Sequence, residues 1–152
     1  MNISKFRYPI DKDQFQVIRE QGMVYVDKTG MMYDLADRYT YVFLARPRRF
    51  GKSLLCNTFK AYFKGQKELF EGLKVMELEK QWTKYPVLHF ILSGLKDCSI
   101  PDAKSKLEAF IGDYEVVYGR NEADKTPGAR FRRLIHNAFA LTGEKVVVIL
   151  DE

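Results

Sequence analysis

Two short stretches carry residue types that could do chemistry. Gly51-Lys52-Ser53 closes the block Arg46-Pro47-Arg48-Arg49-Phe50, and Asp151-Glu152 closes the apolar run Val146 to Leu150. A glycine, a lysine and a hydroxyl in that order suit a polyphosphate. Backbone N–H groups at a helix start can point at one anion, the lysine adds a full charge, and the serine hydroxyl can bind Mg²⁺. An aspartate ending an apolar strand can hold the same metal through its water shell, and a glutamate beside it can orient or deprotonate an attacking water. Where such a loop usually begins with glycine stands Arg46, followed by Pro47, so the mouth of the loop has a different shape, and Arg48 or Arg49 could reach a phosphate in compensation. The plain alternatives are a basic turn that binds nothing and an apolar strand that runs into a polar loop. The two stretches support each other because both follow an apolar strand pattern.

The elements that must position them follow from periodicity. "TYVFLAR", residues 40 to 46, is β-branched, aromatic and continuously apolar up to Pro47, which predicts a buried strand. After the GKS, Leu54, Leu55, Phe59 and Phe63 recur at helical intervals up to Gly65. "PVLHFILS" and "KVVVILDE" predict two more buried strands. Asp13 is expected to cap a short helix through Phe15 and Ile18 that stops at Gly22, and Asp27 or Thr29 a second helix with Met31, Met32 and Leu35 inward. Residues 66 to 85 read as helical turns with Leu69, Phe70, Leu73 and Val75 touching the core. Ser99 and Asp102 form a capping box for a helix with the stripe Leu107, Phe110, Ile111, Tyr114 and Tyr118. Thr126-Pro127 starts another, with Phe131, Leu134, Ile135 and Ala138 inward and Gly143 past its end. Helical patterns alternating with apolar strands predict an α/β fold, a mostly parallel sheet with helices on both faces. Ligands bind such sheets beyond the carboxyl ends of the strands, the edge that both stretches occupy.

Composition narrows the class. The chain has 152 residues, room for one domain of ordinary size, and 46% hydrophobic with 30% charged content, that of a globular protein. No apolar h-region opens it and no run nears the roughly 20 residues that span a bilayer, so it reads as cytoplasmic without a membrane partner. Cys56 and Cys98 have no zinc-site spacing and no disulfide framework, and are expected to be buried and reduced. A net charge of +5 fits an anionic partner. His89 and His136 read as structural, and most aromatic rings as core rather than as a base-stacking platform.

With these residues in view, the chain resembles the bacterial AAA-ATPase-like proteins, many of which carry a PD-(D/E)xK nuclease-like domain further along. The resemblance rests on "YPI" near the start, "YVDKT" at 25 to 29, "RPRRFGKSLL" at 46 to 55, "AYFKG" at 61 to 65, "LFEGL" at 69 to 73, "YPVLHF" at 85 to 90 and "VVVILDE" at 146 to 152. It implies a P-loop NTPase-type core of which residues 1–152 are the N-terminal part, with the arginine start as the family's own form of the loop. It implies ATP and Mg²⁺ as cofactors. The nucleotide would lie along Arg46, Arg48, Arg49, Phe50, Gly51, Lys52, Ser53 and Leu54, the metal on Ser53 and Asp151, and catalysis on Lys52 and Glu152, with Asp151 and Glu152 as the Walker B pair. The Asp-Glu order leans towards ATP over GTP by analogy.

In that family the chain continues past the acidic pair, so the sequence looks like a piece of a longer one, and poor hydrolysis by residues 1–152 alone is expected. A strand formed after the pair would insert between "TYVFLAR" and "KVVVILDE"; without it the two either pair directly or each keep an open edge, which favours homo-oligomers. Two other classes stay open. One is a nucleic-acid-binding or processing protein that uses the basic loop on backbone phosphates, or reaches nucleic acid through a downstream nuclease-like domain; the other is an interaction module that senses a nucleotide without turnover.

Overall fold

The computed structural model describes residues 6–47, 49–95 and 97–151, and the chain divides into two compact units, Met1–Thr83 and Lys84–Glu152.

The first unit is helical. Helices α1 (Phe15–Glu20), α2 (Thr29–Arg38), α3 (Lys52–Phe63) and α4 (Val75–Leu78) surround a core of Phe15, Met32, Ala61, Tyr62, Leu69, Phe70, Leu73 and Val75. Leu54, Leu55, Phe59 and Phe63 of α3 pack against it, so the apolar face read from the sequence fixes the axis of this helix. The rings of Phe15 and Phe70 meet at 4.9 Å, and those of Phe70 and Trp82 at 5.3 Å. Fully burying a side chain such as Phe70 contributes about 1.5–3 kcal/mol. Leu69, Phe70, Leu73 and Val75 are all buried, as expected.

Polar groups tie the helices at their ends. The Asp27 carboxylate accepts from the Thr29 N–H (2.8 Å), the Thr29 hydroxyl (2.6 Å) and the Lys74 N–H (2.7 Å), while the Thr29 hydroxyl accepts from the Val75 N–H (3.1 Å). One aspartate therefore fixes the starts of both α2 and α4, although the residue at the N-cap position of α2 is Lys28. Burial pushes the Asp27 carboxyl up, but the bonds from Thr29 and Lys74 outweigh it and leave the carboxyl below its ordinary value. Asp13 does not cap α1. Gln14 occupies that position without a side-chain bond, and the Asp13 carbonyl instead accepts from the Asn57 side chain at 3.0 Å. Met32 is buried, whereas Met31 faces solvent.

The stretch "TYVFLAR" departs from expectation. Residues 41–47 join no ladder among the described residues, and Tyr41 and Phe43 are 92% and 90% exposed. An apolar, β-branched sequence favours a pleated, half-buried surface only where a partner strand supplies the ladder and a neighbouring layer covers the side chains. Neither condition is met by the described residues.

The second unit is built as β1 (Val87–Ile91), α5 (Ile100–Tyr118), α6 (Pro127–Thr142) and β2 (Val147–Asp151). The strands pair in parallel, with Val87 opposite Val147 and Ile91 opposite Asp151. Leu88 and Phe90 of β1 pack with Ile111 of α5 and Leu134 of α6 in one core. Both helices start as the sequence predicts. The Ser99 hydroxyl oxygen accepts from the Asp102 N–H at 3.3 Å and that of Thr126 from the Ala129 N–H at 3.2 Å, each with a proline in the first turn. Gly143 ends α6 at φ 73°, a conformation that a Cβ disfavours. The mixed helix and strand content and the parallel pairing fit an α/β fold, but the sheet among the described residues has two strands. Its last strand is less buried than expected, because Val148 and Leu150 remain exposed while their partners Leu88 and Phe90 are covered.

Candidate functional site: a basic helix start and an acidic strand end

The basic loop enters α3 through two left-handed backbone positions. Arg49 has φ 65° and Gly51 has φ 74°, ψ 24°, at the N-cap of the helix. Glycine takes that conformation without strain, whereas Arg49 pays a steric cost of about 1–2 kcal/mol for its Cβ. The first intrahelical bond is donated by the Leu55 N–H to the Gly51 carbonyl at 3.0 Å. Gly51 has no side chain with which to cap this helix start.

Electrostatics at this helix start run against the usual preference. The macrodipole favours acidic residues in the first turn, yet α3 has none there and begins with Lys52. Arg46 and Arg49 precede it, both exposed. Among the described residues none of these three cations forms an ion pair. Positive charges gathered at the positive end of a dipole repel one another until an anion arrives. The helix that carries them is firmly held, because its apolar face packs into the first core and Asn57 ties it to the entry of α1.

Phe50, between the two left-handed residues, is 63% exposed; Ser53 and Leu54 are half-buried in the first turn of α3. Five of the eight loop residues, Phe50 to Leu54, thus lie at or directly before the helix start together with Arg49, and Arg46 lies just upstream. Arg48 and Glu152 fall outside the described residues. Asp151 is buried at the carboxyl end of β2, where its carbonyl accepts from the Leu92 N–H at 2.6 Å. Since β1 and β2 run in parallel, Ser93 lies beyond the same edge of this sheet, where it opens a short 3-10 turn.

The residues expected from sequence to bind the metal, Ser53 of the first unit and Asp151 of the second, each offer an oxygen donor. That chemistry fits Mg²⁺, which binds through one or two protein oxygens plus substrate phosphates and keeps several waters rather than needing a dedicated cage. No group of three or more His, Cys, Asp or Glu residues that could hold a metal is clustered among the described residues. No helix among them is long and apolar enough to cross a membrane.

Sequence reasoning missed Asn57 of α3, whose role appears only when the Asp13 carbonyl is seen opposite it. It also missed that Tyr41, Phe43 and Phe50 would be exposed beside the arginines. Their aromatic character, which suggested core, holds no information about whether a partner strand is present.

A family model described as "Predicted AAA-ATPase" matches residues 9–152. A protein of Azotobacter chroococcum mcd 1, described as "Uncharacterized protein in vnfD 5'region", is 37% identical over 151 residues. That match covers 99% of this chain and 29% of the relative, so the chain spans less than a third of the relative's length. No solved structure matches.

Proposed function

We propose, for a chain that belongs to the predicted AAA-ATPase family, that the start of α3 binds the phosphates of Mg-ATP. The observation that carries this reading is the sequence of Arg46, Arg49 and Lys52, without ion-pair partners among the described residues, leading into a helix whose N-cap is Gly51 and which is entered through two left-handed residues. Lys52 places a full charge on the outer phosphates, and the N–H groups of the first turn supply directional donors. Arg46 and Arg49 add charge where other loops of this type rely on glycine. Mg²⁺ bound with the nucleotide would neutralise phosphate charge, with the Ser53 hydroxyl and the Asp151 carboxylate as its protein oxygens. Glu152 is proposed to orient the attacking water for hydrolysis. Titration calorimetry with ATP and GTP, with and without Mg²⁺, tests the reading: metal-dependent ATP binding supports it, and absence of nucleotide binding overturns it.

A second reading rests on the exposure of Tyr41, Phe43 and Phe50 around Arg46 and Arg49. Exposed rings interleaved with arginines can stack the bases of a single strand while the cations follow its phosphates. Steep loss of oligonucleotide binding with added salt, unaffected by Mg-ATP, would favour it.

A further inference from the structure

Outside the candidate site, one residue is held in place against two local penalties. Trp82, the penultimate residue of the first unit, has φ 49°, a left-handed backbone that a bulky side chain rarely adopts. Its indole N–H is buried and meets no acceptor among the described residues. A buried donor left unmet loses the bond it would make with water. Both penalties vanish when the residue swings outward, because the backbone relaxes and the indole N–H meets solvent. Trp82 as a whole is only half-buried, so its way out is short.

The contacts that hold it are equally specific. Its ring packs on the first core, with centroids 5.8 Å from Tyr62 and 5.3 Å from Phe70. The Glu79 carboxylate, directly after α4, closes the turn behind it. One of its oxygens accepts from the Gln81 N–H at 2.7 Å and the Trp82 N–H at 3.4 Å, and the other from the Tyr62 hydroxyl at 2.6 Å. A single carboxylate thus joins the turn to a residue on which the ring rests. Phe70, wholly buried in the same core, has neither a polar side-chain atom nor a left-handed backbone, so nothing comparable drives it out.

We propose that residues 79–82 form a strap that opens locally, with Trp82 as its latch and Glu79 as its catch. The ring leaves Tyr62 and Phe70 and the turn lets go of Glu79, while Phe15, Phe70 and Val75 stay packed. The opening frees the chain at the end of the first unit without unfolding that unit. Backbone strain of this kind persists only where the surroundings over-determine it, and it clusters at segments that switch.

The chain has one tryptophan, so its indole N–H gives a single, unambiguous signal in a nitrogen-correlated proton spectrum. Hydrogen exchange of the 1–152 chain is followed at that N–H and at the amide of Thr58, buried within α3, in rising but sub-denaturing urea. The indole should be protected at least about tenfold less than the Thr58 amide, and its exchange should hardly change with urea, because a local opening exposes little surface. Exchange at Thr58 should instead quicken with urea as global unfolding does. Glu79→Ala should speed the indole exchange about tenfold by removing the catch. Equal protection and equal urea dependence at the two positions of the unaltered chain overturn the proposal even if the variant fails to fold, and so does an unchanged indole rate in a folded Glu79→Ala protein.

Discussion

The Tyr114 hydroxyl of α5 accepts from the His89 N–H at 2.7 Å and donates to the His89 carbonyl at 3.1 Å, in the middle of β1. N–H and C=O of one strand residue point to the same side, and the ladder to β2 uses the neighbouring residues, so these two groups belong to the outer edge of β1. A side chain from the covering helix thus occupies that edge, one of the ways in which sheets avoid unwanted pairing. Burial pushes the Tyr114 hydroxyl up, despite the opposing bond to His89, which keeps it a donor over the whole range in which the protein is handled.

Tyr114→Phe should therefore cost about 1–3 kcal/mol, the penalty for leaving buried polar groups unmet, while preserving ring packing against Phe90. Urea unfolding with an unchanged slope and a lower midpoint is the expected result. Sedimentation of the variant should also show more self-association than the unaltered chain, because the β1 edge becomes available.

The ion pair between α5 and α6 sets a pH dependence. Arg130 donates to Glu115 at 2.9 and 2.6 Å, with the two side chains only 10% and 6% exposed. The bond from Arg130 holds the Glu115 carboxyl below its ordinary value of 4.5, against the opposing effect of burial. A carboxyl depressed in the folded state adds stability above its unfolded value and loses it as pH falls through the folded one. Acid titration should accordingly weaken the second unit from about pH 4.5 downwards. Arg130→Met should cost about 3–5 kcal/mol near neutral pH by stranding a buried carboxylate, and Arg130→Met with Glu115→Leu should recover most of it. Thermal melts of the three proteins at neutral and acid pH check both statements.

Arg49 offers a separation of stability from function. Its φ of 65° is a conformation that glycine takes freely, so Arg49→Gly should relieve about 1 kcal/mol of backbone strain, less what the more flexible unfolded chain takes back. The same change removes one of the cations before α3, so ATP binding should weaken while the melting temperature holds or rises. A variant that loses stability would show that the Arg49 side chain contributes packing or hydrogen bonds that outweigh the strain.

The parts of the fold that could be read from sequence are those decided by local rules. Ser99 and Thr126 cap their helices because a hydroxyl, a proline in the first turn and an apolar stripe coincide, and each of these is a short-range signal. The α3 face of Leu54, Leu55, Phe59 and Phe63 is equally local. What could not be read depends on distant partners. Tyr41 and Phe43 have strand character but no ladder among the described residues; Val148 and Leu150 belong to a strand whose apolar run suggested burial on both faces, yet they stay exposed. The Asp27 clasp was half legible: its bond to Thr29 lies two residues away, while its bond to Lys74 spans 47 residues and leaves no trace in the local pattern. At the candidate site the order Gly51-Lys52-Ser53 pointed to the helix start, and the left-handed turn at Arg49 emerged only from the backbone.

The most direct test of the account is the affinity of the 1–152 chain for Mg-ATP, measured by calorimetry for the unaltered protein and for Lys52→Ala at one fixed salt concentration. Loss of the Lys52 charge from the first position of α3 should weaken binding by about 1.5–3 kcal/mol, roughly tenfold to more than a hundredfold, with the melting temperature nearly unchanged because the side chain takes part in no ion pair among the described residues. Equal affinity of the two proteins for Mg-ATP would contradict the assignment of the α3 N-terminus as the phosphate site.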